Sequence, residues 1–127
     1  MSKNIGNQHF DRAVGAAGNS LGNFVITSDD GINDVGTFND NFFGGVRTQT
    51  NQKGEVFIAG LNYVANNLGS AALELRKVNL NNNATVGNVW SKEINVLGGK
   101  TIAFKGIIAS SAGLTFTKWR NSELYWS

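Results

Sequence analysis

A chain of 127 residues, 41% hydrophobic and 16% charged, amounts to one domain and can bury a core without staples. It has no cysteine and no proline, which excludes a disulfide framework, a thiolate metal site and a thiol nucleophile, and leaves every turn to Gly, Asn, Asp and Ser. The formal charge of +2 divides into −2 over residues 1–64 and +4 over the rest, too mild a basic excess for a dedicated nucleic-acid domain.

Residues 1–22 read as a flexible N-terminal arm. Residues 1–7 lack the apolar core of a secretory signal, and no run anywhere nears the ~18 apolar residues of a membrane span. Residues 13–20 are small and glycine-rich, so at most a short helix over 9–17 is expected there. From Asn23 onward, apolar and polar residues alternate in short runs between Asn- and Gly-rich turns, the period-two pattern of strands packed on one face. The first run is 23–28. It leads into an acidic, turn-rich loop over 29–36 and an Asn/Asp loop carrying Phe38, Phe42 and Phe43. Residues 45–50 place Val46, Thr48 and Thr50 on one side, and 51–54 form a turn.

The next run, 55–65, puts Phe57, Ala59, Leu61 and Tyr63 on one face. Residues 71–80 turn Leu73 and Leu75 inward, and Asn81, Asn82 and Asn83 suit a hairpin-type loop. Residues 86–97 direct Trp90, Ile94 and Val96 one way. Residues 100–109 bury Ile102, Phe104 and Ile108, residues 114–120 bury Leu114 and Phe116, and 123–126 form a last short strand. About eight strands at this spacing predict an all-β domain over 23–127, an antiparallel sandwich of jelly-roll type. No internal repeat stands out.

Two clusters are candidates for a site. In the first, Asp29, Asp30, Asn33, Asp34, Asn39, Asp40 and Asn41 supply many oxygens. Calcium takes six to eight, but the glycine falls too early for an EF-hand and no glutamate closes the loop. At most weak calcium binding is therefore expected, with no other cofactor. The stretch Phe24-Val25-Ile26-Thr27-Ser28-Asp29-Asp30-Gly31-Ile32 resembles the strand-plus-Asp-Asp-Gly stretch of the PA14 family of carbohydrate-binding sandwiches. That resemblance covers these nine residues alone and implies a sugar site at the loop, whose candidate binding residues are Asp29, Asp30, Asn33, Asp34 and Asp40. An ordinary solvated loop with Asx-turns accommodates the same residues.

The second cluster is Lys118, Trp119, Arg120, Leu124, Tyr125 and Trp126. Trp, Tyr and Arg are enriched at interface hot spots, and the same set can stack on sugars or bases or close the core. Phe10, Trp119, Arg120, Tyr125 and Trp126 are read as subunit contacts, with Ile5 and Val14 as further anchors on the arm. His9 is the only histidine and has only Asp11 nearby. Gly15-Ala16-Ala17-Gly18 lacks the lysine of a phosphate loop. Glu55, Glu74 and Glu93 fall on separate strands, with nothing to pair them at glycosidase spacing.

No catalytic residue or metal ligand set emerges. The sequence therefore points to a non-enzymatic structural or binding domain acting as a homo-oligomer. The leading expectation is a small phage or viral virion protein of decoration, vertex or fibre type, cytoplasmic before assembly and partnered by other virion proteins. The alternative is a lectin-like module binding glycans through the 29–41 loop. Neither a membrane nor a nucleic acid is expected as a partner.

Overall fold

The computed structural model describes residues 3–4, 8–16, 22–27, 34–60 and 63–117. Alternation there produces eleven strands: β1 (Lys3–Asn4), β2 (Gln8–Phe10), β3 (Asn23–Ile26), β4 (Val35–Phe38), β5 (Phe43–Thr48), β6 (Glu55–Ile58), β7 (Tyr63–Leu68), β8 (Leu75–Leu80), β9 (Ala84–Leu97), β10 (Ile102–Phe104) and β11 (Ile108–Thr117). Every pairing between them is parallel. Parallel neighbours need a long connection between them, and here that connection is the rest of a coil. A strand pairs with one about twenty residues further on, as Val25 does with Arg47 and Glu55 with Lys77. The chain is a β-solenoid of about four turns.

This corrects the expected antiparallel sandwich: the fold is all-β, but neither a β-sandwich nor a jelly roll. Alternation decides which side chains face inward. It does not decide which way the neighbouring strand runs, and a coil that returns to its own start satisfies the same pattern.

β9 shows the cross-section in one strand. Ala84, Val86, Val89, Ser91, Ile94 and Val96 are buried, while the pairs Gly87-Asn88 and Lys92-Glu93 each leave two successive residues outside the core. Each slip marks a bend, so one coil has a first face (84–87 in β9), a second face (88–91) and a third face (92–97). At the second bend the buried Ser91 Oγ donates to the Glu93 carbonyl oxygen at 2.7 Å. The first half of β9 pairs with β7 and the second half with β8. β10 and β11 lie on its other edge.

The core is a set of ladders running along the axis. On the third face one ladder is Phe10, Phe38, Ile58, Leu80 and Val96. On the second face another is Phe24, Val46, Leu68, Val89 and Ile108. Each fully buried aliphatic or aromatic rung contributes about 1.5–3 kcal/mol. At the N-terminal end Phe10 stacks on Phe38 with ring centres 5.0 Å apart, Phe38 stacks on Phe42 at 4.0 Å, and Phe24 meets Phe38 edge-on at 5.6 Å.

The predicted inward faces hold for Leu75, Ile94, Ile102 and Phe104, all buried, and Val46 and Thr48, expected on one side of their strand, are buried together. They fail at β6, where Val56 and Ile58 are buried and Phe57 lies on the outer side. The expected run over 55–65 is broken into β6 and β7. Leu73, Trp90, Ile108 and Leu114 are half-buried. Leu61 and the Phe116 side chain lie outside what is described. Within residues 1–22, β1 and β2 pair with β3 and β4, and Gln8–Phe10 is strand rather than helix.

Candidate functional site

The densest set of charged and polar contacts is the corner between the second and third faces, where loops from successive coils stack. Asp34 immediately precedes β4 and is wholly buried. Its Oδ2 accepts from the Gly54 N–H at 2.6 Å, and its Oδ1 accepts from Arg76 Nη2 at 2.7 Å. Its carbonyl oxygen accepts from the Glu55 N–H at 2.9 Å. Arg76 also reaches Glu55 Oε1 at 3.3 Å, and Glu55 Oε2 accepts from Asn79 Nδ2 at 2.8 Å. Burial alone would lower the pKa of Arg76. The hydrogen bond and charge of Asp34, with those of Glu55, outweigh it and hold the guanidinium above its ordinary value. One ion cluster thus clamps three coils.

A second, more exposed set lies beside it. Glu74 Oε1 accepts from Gln52 Nε2 at 2.7 Å and from Ser111 Oγ at 2.8 Å, and the Glu74 N–H donates to Asn51 Oδ1 at 2.9 Å. The sequence places Glu55 and Glu74 on separate strands with nothing to pair them. In the fold both are engaged in joining coils.

The corner between the first and second faces does the same work with amides. Asn88 Nδ2 donates to Asn67 Oδ1 at 2.9 Å, and Asn88 Oδ1 accepts from the Ile107 N–H at 2.7 Å. The turns from the third face back to the first are also Asn-rich: Asn39 Nδ2 donates to Asp11 Oδ1 at 2.7 Å, and Asn82 Nδ2 to the Ala59 carbonyl oxygen at 3.1 Å. In that corner lies an open depression of about 310 Å³ lined by Asn83, Ala84, Thr85, Thr101 and Ala103. It holds no ionisable side chain, and Asn83 Oδ1 already accepts from the Thr101 N–H at 2.9 Å.

Of the loop residues singled out from sequence, Asp34 has both carboxylate oxygens engaged inside the protein. Asp40 is exposed at the opposite end of β4, and its Oδ1 accepts from the Asn41 N–H at 2.7 Å. A four-residue strand keeps the two apart by more than ~13 Å. Asp29, Asp30 and Asn33 lie outside the described residues. Among the described residues no three His, Asp or Glu side chains are grouped so as to hold a metal ion. Phe10 is half-buried on the aromatic stack. Trp119, Arg120, Tyr125 and Trp126 lie outside the described residues. His9 is exposed on β2, in register with Thr37.

Arg76, which the sequence marks only as an outward residue beside Leu75, is the member of this corner that sequence reasoning missed: its partners are Asp34 and Glu55. The available signal was the recurrence of Asp34, Gly54 and Arg76 one coil apart, which is visible only once the repeat is known. No protein-family model, no curated protein and no solved structure matches the chain, so a functional reading rests on the geometry of its own residues.

Proposed function

We propose that the chain is a non-enzymatic structural module, a rigid β-solenoid that works by self-association rather than by chemistry. One observation carries this reading. The described carboxylates that cluster, Asp34, Glu55 and Glu74, are committed to joining coils, while the open depression is lined only by amide, hydroxyl and methyl groups. A catalytic site calls for the reverse, with titratable groups converging on open space.

The narrower expectation of a virion part drew its fold argument from an eight-stranded jelly roll, and that argument falls with the jelly roll. The sandwich implied by the PA14 resemblance falls in the same way. What remains is the structural role. Sedimentation velocity across a concentration series tests it: a mass that grows with concentration is expected, and a protein that stays monomeric throughout argues against it.

A further inference from the structure

The apolar ladders run to both ends of the solenoid, and the partly buried apolar residues that pack against the core lie on its first and last coils. The hydrophobic side chains that pack on the core while only partly buried are Phe10 and Val14 on the first coil, and Ile108 and Leu114 on the last. Ile107, the one large hydrophobic side chain among the described residues that stands well into solvent, is 58% exposed and also belongs to the last coil. β11 is the outermost described strand there. It is ten residues long and contains no charged residue and no proline. Exposed strand edges are usually blunted by such residues, because unpaired N–H and C=O groups recruit further strands.

We infer that a second copy of this chain docks head-to-tail on this end, its first coil continuing the ladders of the last. This rests on the reading of the protein as a self-associating module and gives that association a geometry. The two ends match face for face. The last coil presents β10 on the first face and β11 on the second and third. The first coil presents Val14 beside Phe42 on the first face, β1 on the second and β2 on the third. Stacked in register, Phe10 of the second copy takes the position beyond Phe116, and its Val14 the position beyond Ile102.

A two-fold end-to-end contact would set unlike faces against each other and run β11 antiparallel to itself across a bend. The available area sets the strength. The third face carries six-residue strands such as β8, so an end face measures roughly 20 by 25 Å and the contact buries roughly 1,000 Å² over both partners. That is the low end of specific interfaces, so assembly should depend on concentration. Because the contact is heterologous, it does not close on itself and gives open rods.

The test blocks one end at a time. Leu114→Lys, or Ile107→Lys should the first variant lose its β signal in circular dichroism, blocks the last coil. Phe10→Lys, or Ala13→Lys as its milder counterpart, blocks the first. In sedimentation velocity each blocked variant alone should be monomeric, with at least tenfold weaker association than wild type. An equimolar mixture of the two should form dimers and nothing larger. If the first-coil variant still dimerises alone, the contact is isologous and the head-to-tail geometry is overturned, while self-association stands. If wild type is monomeric at the highest attainable concentration, both are overturned. Both are likewise overturned if assembly occurs only after deletion of residues 118–127, since the chain's own terminal segment then occupies the end.

Discussion

Two corners of the same coil solve one problem with different chemistry. Between the second and third faces, Asp34, Glu55 and Arg76 join three coils by charge, with Asp34 wholly buried. Between the first and second faces, Asn67 and Asn88 join coils by neutral amide hydrogen bonds. An amide carries donor and acceptor together, so one residue type can repeat along a ladder, each bonding to the next. A carboxylate only accepts and a guanidinium only donates, so the charged corner needs different residues on successive coils and cannot be extended by repetition. The amide corner is modular, and the charged corner fixes one register.

That contrast can be broken by mutation. The largest effect is expected at Asp34→Ala, which leaves Arg76 without its main partner and should cost about 3–5 kcal/mol in chemical denaturation. Replacing the pair together, Asp34→Leu with Arg76→Met, should recover part of that loss, because a buried ion pair is often no better than an apolar pair of similar size, while the Gly54 N–H stays without its acceptor. If the single change costs under about 1 kcal/mol, the corner is not a clamp.

Asn88→Ala should cost less, about 1–3 kcal/mol, since it strands the Ile107 N–H and one Asn67 oxygen without removing a buried charge. A loss equal to that of Asp34→Ala would erase the distinction between the corners. Ser111→Ala removes only an exposed donor to Glu74, and thermal melting should detect a change of at most about 1 kcal/mol.

The smallest effect concerns pH. The pKa of Arg76 is raised on folding, so its contribution is complete below the unfolded value and is lost only as pH rises through the higher folded value. Denaturation midpoints of wild type and Arg76→Met should therefore keep a constant gap between about pH 7 and 10. A gap that closes over that range would show that the guanidinium is not the group that matters.

How far the sequence could be read follows from what alternation encodes. It placed Leu75, Ile94 and Phe104 in the core because each is flanked along the chain by polar or small residues. It misplaced Phe57 because Val56, Phe57 and Ile58 are all apolar, so alternation alone does not say which side of β6 faces the core. Pairing direction was not legible, because the coils differ in length: Glu55 pairs with Lys77, but Leu75 already pairs with Ser91. A repeat without a fixed period leaves little self-similarity in one sequence. Asp34 was legible as a polar residue of interest but not in its role, since its partner Arg76 is 42 residues away and only the winding of the chain brings the two together.

β9 has a consequence for how the molecule assembles itself. Most coils are built from two strands and a connecting loop, but this one runs through both bends as a single strand of 14 residues. It is paired along one edge to β7 and β8 and along the other to β10 and β11. In a solenoid each coil touches only its neighbours, so order spreads along one dimension from wherever it starts. A coil already continuous across its bends offers the next chain segment a complete template in both directions. The amides of β9 should then be the slowest to exchange with solvent, and protection should fall away toward the first coil.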